Sequence, residues 1–267
     1  MNLLLLSELA NDQVNLLKAL LLIEEHVFGK KTSLTNQFER LVEHCQQAIE
    51  REQDPLIKVQ CFLENMFVNL LFIEQVQQKP HGSECYQLAP ALAQLTMAPA
   101  LKIIVMQELA QRCGLSCDVV FIPKMLMMRV ICDEDYAVIF EPITGEPIDW
   151  HTLDQRLTDL DGDPESISLD GESNTVLLRN YLLNLKNALI NEQKFQQALR
   201  CVDLLLAIKP NDPIERRDRG FLFYQLDCFK VACDDYRYFV EQCPEDPAAQ
   251  LLKIQLDNIQ LDNTVLH

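Results

Sequence analysis

A 34-residue periodicity in the last third of the chain constrains the fold more than any other feature of the sequence. Five pairs of like residues recur at this spacing, inside segments with the apolar periodicity of helices. A unit of this length holds two antiparallel helices, and it leaves an apolar face exposed unless it stacks on a neighbouring unit. The sequence therefore predicts a stack of helical hairpins over residues 173–267, with two helix pairs followed by a capping helix. The five pairs are Phe195/Phe229, Ala198/Ala232, Pro210/Pro244, Asp212/Asp246 and Pro213/Pro247.

The second unit carries small, aromatic and helix-ending residues where a tetratricopeptide repeat, the helical hairpin of this period, needs them. Gly220 lets the two helices approach closely, and Ala232 and Tyr236 form the ridge that faces it. Pro244 cannot continue a helix, so we expect it to end the second helix of the pair. The first unit departs from this pattern because Lys186 stands where glycine is usual.

The first helix of each repeat pair is expected to line a concave groove, and such grooves commonly bind peptides. Four asparagines recur at spacings of four, three and four residues on the first of these helices, which places their amides on one face. Amide side chains donate to and accept from a peptide backbone, and a nearby arginine binds a carboxylate with two hydrogen bonds. Three roles remain open for this face: a groove for a protein or peptide partner, a seam against the N-terminal domain, and an ordinary polar surface. The candidate partner-binding residues are Asn180, Asn184, Asn187, Asn191, Arg217, Phe221 and Tyr224.

Residues 1–172 are predicted to form a separate domain, mostly helical with a small antiparallel sheet. Capping signals and apolar periodicity predict helices up to about residue 112, as at Asp54-Pro55, where an acidic cap precedes a proline at the first helical position. Short β-branched and aromatic runs predict strands at about 117–148. An acidic linker at about 159–172 then joins this α+β domain to the all-α repeats.

Acidic residues outnumber basic ones, with 40 Asp and Glu against 23 Lys and Arg and a formal net charge of −17. Because phosphate neutralisation supplies most of the affinity for nucleic acid, this charge argues against a nucleic-acid partner. Most of it lies in residues 133–174, which hold 13 acidic side chains and one basic side chain. A cation or a basic partner would bind there, although Asp159, Asp161 and Asp163 lack the following glycine and glutamate of a calcium-binding loop.

The N-terminal segment and the cysteines favour a cytoplasmic chain. No basic residue precedes Lys18 and acidic residues follow the short leucine run, so we expect neither a signal peptide nor a membrane span. The ten cysteines include no CxxC pair, and most lie in apolar segments where a thiol acts as a small buried side chain. We therefore expect reduced cysteines, no metal and no cofactor.

Six short segments carry a resemblance to a known bacterial family. In the first half they are residues 110–112, 123–129 and 141–146, and in the second half 217–220, 225–228 and 238–247. The chain resembles the SirB-type proteins, which join a transglutaminase-like domain to tetratricopeptide repeats. This resemblance covers nearly the whole chain and implies a helical lobe against a small antiparallel sheet, in agreement with the residue patterns.

The resemblance also locates the positions where such a fold would carry catalysis. Transglutaminase-like enzymes use a cysteine at the start of a buried helix, a histidine on a following strand and an aspartate on the next. The resemblance places these positions at Ala100 (within residues 98–100), Met125 and Glu141. Acyl transfer of this kind needs a thiolate and an adjacent imidazole, and alanine and methionine supply neither. We therefore expect a non-catalytic protein that acts through protein–protein contacts, including in a regulatory role.

The alternative is a cysteine-dependent hydrolase or acyl transferase with a relocated nucleophile. Cys113 and Cys117 flank the junction between the last predicted helix of the first domain and its first strand. Neither is predicted at a helix N-terminus, where the pKa of a thiol falls. His151 and Asp154 have the spacing of neighbours on a helix and could supply a base, although an exposed histidine on a short amphipathic helix is the simpler interpretation.

Overall fold

The computed structural model describes residues 14–29, 36–70, 81–94, 96–122, 125–134, 136–149, 151–155 and 170–265. Within these ranges the chain is helical apart from one three-stranded antiparallel sheet, which confirms the predicted α+β class with helical repeats. Most of the predicted acidic linker, including the three aspartates of the calcium-like pattern, lies outside the described residues.

The elements follow one another in the predicted order. The first helices are α1 (Leu16–Phe28), α2 (Asn36–Ile49), α3 (Pro55–Glu64), α4 (Leu88–Gln94) and α5 (Pro99–Arg112), with a π-helical turn at Asn65–Asn69 and a 3₁₀ turn at Ser83–Tyr86. The strands are β1 (Ser116–Ile122), β2 (Met125–Ile131) and β3 (Ala137–Phe140). The repeat helices are α6 (Asn174–Asn191), α7 (Phe195–Ile208), α8 (Pro213–Gln225), α9 (Phe229–Gln242) and α10 (Pro247–Val265).

Local capping explains where several helices begin. Asp54 accepts hydrogen bonds from the first backbone N–H groups of α3, and Asp212 does the same for α8. Helix α1 is capped by Asn15, whose side chain accepts from the backbone of Lys18.

The sheet and helix α5 form the centre of the first domain. The strand order is β1-β2-β3, and Val119 pairs with Met128, which in turn pairs with Phe140. Helix α5 is buried along its length, from residue 100 to residue 110. A helix that is buried all round has its apolar residues on every side, so α5 is the element on which the sheet and the other helices of this domain pack.

A single hydrophobic core continues from the first domain into the repeats. Its buried residues run from Val14 to Leu222 and include side chains of α6 and α7. Polar contacts cross the same junction: the Tyr181 hydroxyl donates to the Tyr86 carbonyl at 2.6 Å, and the Ser83 hydroxyl donates to Glu192 at 2.6 Å. The first repeat pair is therefore packed as part of the first domain as well as of the repeat stack.

Replacing Tyr181 with phenylalanine is expected to lower the free energy of unfolding by about 1–3 kcal/mol. The change removes the hydroxyl group of Tyr181. The Tyr86 carbonyl then loses this hydrogen bond at a buried site. Urea unfolding followed by circular dichroism measures the loss. Tyr238→Phe is the matched control, because its hydroxyl bond to Asn211 is long (3.4 Å) and exposed; equal losses in the two variants would contradict the prediction.

Across the described ranges no single helix has both the length and the hydropathy of a membrane span. Helices α4 and α5 meet the criterion together, but they are bent by 89° relative to each other.

Candidate functional site

An open cleft of about 390 Å³ lies between the first domain and the first repeat helix. We call it the interdomain cleft. It is bounded by the N-terminal turn of α5, the end of β1, the start of β2, the segment after β3, and α6. Its lining residues are Tyr86, Pro99, Ala100, Ile103, Phe121, Leu126, Glu141, Pro142, Ile143, Asn180 and Asn184.

The start of helix α5 forms the floor of the cleft. Pro99 occupies the first turn of the helix, where its missing N–H costs no hydrogen bond. Ala100 and Ile103 follow at helical spacing, and both are nearly buried. A cysteine at position 100 would lie at the helix N-terminus, where backbone N–H groups stabilise a thiolate, but alanine presents only a methyl group.

A compact loop, which we call the 141–146 loop, closes one side of the cleft. The Gly145 N–H donates to the Glu141 carbonyl at 2.8 Å, and the Thr144 hydroxyl donates to the Glu141 carboxylate at 3.0 Å. The ammonium group of Lys102 on α5 donates to the Ile143 carbonyl at 2.9 Å. These bonds fix the Glu141 side chain beside the cleft with one of its oxygens already bonded.

The hairpin of β1 and β2 supplies the apolar wall. Phe121 and Leu126 are directly opposite each other in the β1–β2 pair, and Phe121 is 55% exposed. Phe121 therefore presents apolar surface to solvent at the edge of the cleft. Met125, at the position that the resemblance assigns to the histidine, is described in its backbone only, opposite Ile122.

Helix α6 supplies the polar wall with two of the four predicted asparagines. The Asn184 amide donates to the Asn180 carbonyl at 2.8 Å and to its side-chain oxygen at 3.1 Å, which holds both amides at the cleft edge. Asn187 and Asn191 are exposed and are not among the residues that line the cleft. The asparagine stripe is therefore divided between the cleft and the open surface.

The three candidates on α8 lie away from the interdomain cleft and pack within the repeats. The Arg217 guanidinium lies 5.3 Å from the centre of the Phe239 ring and pairs with Asp218 at 2.9 Å. Phe221 packs edge-on against Phe195, with ring centres 6.2 Å apart. Tyr224 packs in the same way against Phe229 at 5.1 Å. The structure therefore does not gather the seven candidate residues into one site.

Ala100 and Glu141, two of the three positions that the resemblance assigns to a catalytic triad, both line the cleft. Its described lining includes no cysteine and no histidine. Cys117, one of the alternative nucleophiles, is buried, and burial raises the pKa of its thiol to about 12. His151 is exposed, and its ring lies 3.2 Å from the Gln155 amide. In the ranges that the structure describes, no group of three or more His, Cys, Asp or Glu is placed to hold a metal ion.

Sequence reasoning missed the apolar part of the site, Phe121, Leu126 and Ile143. Strand alternation gives no signal for it, because Phe121 shares a face of β1 with Val119, and both Val119 and Val120 are fully buried. The position of α6 across the cleft from the end of β1 depends on how the first domain packs against the repeats, which the sequence pattern does not specify.

The cleft and the stacked hairpins define a chain that combines a transglutaminase-like fold with tetratricopeptide repeats. The model of the transglutaminase-like superfamily matches residues 32–196, and the model of the tetratricopeptide repeat matches residues 185–257. The chain therefore belongs to the transglutaminase-like superfamily. The two matches overlap at α6, the helix that contributes to both parts of the structure.

Curated relatives agree with the SirB-type resemblance. The chain is 29% identical over 243 residues to a UPF0162 protein of Vibrio cholerae, covering 85% of this chain and 84% of the relative. It is 38% identical to the UPF0162 protein YchA of Escherichia coli K12, over 59% of this chain and 60% of the relative. It is 36% identical to Protein SirB1 of Salmonella typhimurium, over 60% of each chain. Among solved structures, that of menin aligns over 87% of this chain with 12% identity and a TM-score of 0.34, below the level that indicates a shared fold.

Proposed function

We propose that this chain is a non-catalytic protein that binds a protein partner in the interdomain cleft. The observation that carries the proposal is the composition of the cleft at the position of a transglutaminase-like active site. Ala100 stands where the resemblance puts the nucleophile, and the described lining contains neither a thiol nor an imidazole. Acyl transfer through a covalent intermediate needs both groups within hydrogen-bond reach, so the cleft supports binding and not this chemistry.

The lining suits a segment of protein better than a small polar ligand. Phe121 and Leu126 offer an apolar surface for a side chain of the partner, and burial of that surface drives association. The amides of Asn180 and Asn184 can bond a peptide backbone, which has both donors and acceptors. Tetratricopeptide repeats generally mediate protein–protein contacts, and α6 belongs to the first of them.

The net charge and the reduced cysteines support two further parts of the proposal, namely action through protein contacts and a cytoplasmic location. A regulatory role, as part of this proposal, acts through protein contacts, because a net charge of −17 opposes direct binding to DNA. No disulfide joins the cysteines in the described ranges, which suits a reducing compartment such as the cytoplasm.

Replacing Phe121 with glutamate is expected to abolish capture of the partner, since it places a charge on the exposed apolar wall. Val231→Glu is the matched control, because Val231 is 44% exposed and lies on α9, outside the cleft lining. The measurement is affinity capture with each purified variant. A photo-crosslinking amino acid, introduced at position 121 and in a separate control protein at position 231, shows whether the partner occupies the cleft. Equal capture by both variants, or crosslinks only from position 231, would contradict the cleft as the site.

The proposal that the chain is non-catalytic is tested by a separate experiment. The purified chain is incubated with thioester and glutamine-amide substrates, and no turnover above the uncatalysed rate is expected. Turnover that is lost on replacing a single cysteine by serine would overturn the non-catalytic proposal and establish the relocated-nucleophile alternative.

A further inference from the structure

Glu141 is the only charged side chain in the described lining of the interdomain cleft. The rest of that lining is neutral, with a phenol at Tyr86, amides at Asn180 and Asn184, and apolar side chains elsewhere. A partner that fills the cleft therefore meets one negative charge and no positive charge from these residues. How Glu141 is held decides which group of the partner can bond it.

The Glu141 carboxylate is held in place, yet it keeps one oxygen for a partner. Its Oε2 atom accepts from the Thr144 hydroxyl at 3.0 Å, and its backbone N–H donates to the Glu146 carbonyl at 2.9 Å. Its Oε1 atom has no hydrogen bond to any residue that the structure describes, and the side chain is half-buried. Because a carboxylate oxygen only accepts hydrogen bonds, the group that bonds Oε1 must be a donor.

Lys102, a cation on α5 that contacts the 141–146 loop, bonds other groups. Its ammonium group donates to the Ile143 carbonyl at 2.9 Å and lies 5.1 Å from the centre of the Phe67 ring. Lys102 is only 2% exposed and does not line the cleft. Among the described residues no cation forms an ion pair with Glu141. The partner can therefore supply the counter-ion of this carboxylate.

Apolar surface lies near Glu141, at the same end of the sheet. Phe140 pairs with Met128 and Glu141 follows it directly, so Glu141 comes close to the start of β2, where Leu126 pairs with Phe121. Neighbouring strands of a sheet are about 4.8 Å apart. One short segment of a partner can therefore contact the carboxylate and the apolar wall together.

We propose that the partner binds through a segment in which a lysine or arginine lies next to an apolar residue. The cation bonds Oε1 of Glu141, and the apolar side chain packs on Phe121 and Leu126. This inference rests on the proposed function and specifies the partner that the cleft takes. A charge-assisted hydrogen bond is stronger than a neutral one, and salt screens a half-buried pair less than an exposed one. Residues 133–174, with 13 acidic side chains and one basic side chain, also attract a basic segment from a distance.

The test selects peptides from a random phage-displayed library on the whole chain and measures the affinity of the selected peptides by calorimetry. We expect Lys or Arg to be enriched next to Phe, Leu or Met. Glu141→Gln is expected to weaken binding of these peptides about tenfold, because a hydrogen bond to a charged group is lost. Glutamine still offers Thr144 an oxygen, so the 141–146 loop keeps its bonds. Glu134→Gln is the matched control: it removes an exposed charge of the same acidic segment at the opposite end of the sheet, and it is expected to change the affinity less than about twofold.

Two further variants separate this inference from the proposed function. Selection on Glu141→Lys is expected to enrich Asp or Glu next to the same apolar residues. Apolar peptides without an enriched charge, or equal losses of affinity in Glu141→Gln and Glu134→Gln, would overturn the inference and leave the cleft as a binding site. A selection in which no peptide loses affinity for Phe121→Glu would instead contradict the proposed function, since the peptides would then bind outside the cleft.

Discussion

Replacing Lys186 with methionine is expected to lower the free energy of unfolding by about 3–5 kcal/mol. Lys186 stands on α6 where a repeat of this type usually has glycine, and its side chain is only 3% exposed. Its ammonium group bonds both carboxylate oxygens of Glu215 at 3.0 and 3.1 Å and Asp218 at 2.6 Å, so it joins α6 to α8. Removing the cation leaves the Glu215 carboxylate, also 3% exposed, without its charged partner.

The double variant Lys186→Met/Glu215→Met is expected to recover most of this loss. A buried ion pair replaced by apolar side chains of similar volume is often neutral for stability, because the cost of desolvating two charges disappears with them. Asp218 keeps its contact with Arg217 in this variant. Arg237→Met is the exposed control: its pair with Asp234 is open to solvent and its loss is expected to cost less than about 1 kcal/mol. Urea unfolding of the four proteins measures these differences, and similar losses for Lys186→Met and Arg237→Met would contradict the argument.

The loss in Lys186→Met should also shrink as the pH falls from neutral to mildly acidic. Burial raises the pKa of Glu215 in the folded chain even with Lys186 beside it, and removing the cation raises this pKa further. A carboxyl group whose pKa is raised by folding destabilises the fold when ionised, above its unfolded pKa, and this penalty disappears as it takes up a proton. A loss that stays constant over this pH range would show that the ionised Glu215 is not its cause.

The elements of the fold were predictable because their signals are local. Proline and acidic caps mark the starts of α3 and α8, β-branched runs mark the strands, and the 34-residue spacing marks the repeat pairs. Each of these signals acts over a few neighbouring residues or over one repeated unit, so tertiary packing does not have to be known.

The candidate site was only partly predictable because its residues come from distant parts of the chain. Asn180 and Asn187 lie on the same helix, yet only Asn180 lines the cleft, and the helical spacing alone does not distinguish them. Lys186 departs from the repeat pattern, and its partner Glu215 lies 29 positions later in the chain, on a different helix.

Replacing Gly145 with alanine is expected to lower the free energy of unfolding by about 2–4 kcal/mol and to weaken partner capture. Gly145 has a φ of 77°, in the left-handed region that costs other residues free energy. A Cβ at this position would also press into the ring of Phe67, a buried side chain packed edge-on against Phe140. Since the 141–146 loop carries Glu141 and Ile143 into the cleft, relief of this clash must move part of the site.

Gly114→Ala separates the two causes, because Gly114 has a φ of 74° but no atom within 4 Å of the position of a Cβ. It should therefore lose only about 1 kcal/mol, from backbone strain alone, and leave partner capture unchanged. Adding Phe67→Leu to Gly145→Ala makes room for the methyl group, so the double variant should lose less than the sum of its two single changes. Equal losses in the two glycine variants would mean that Phe67 yields without cost. In that case the 141–146 loop would be held by its own hydrogen bonds and by Lys102, and the interdomain cleft would keep its shape independently of the packing beneath it.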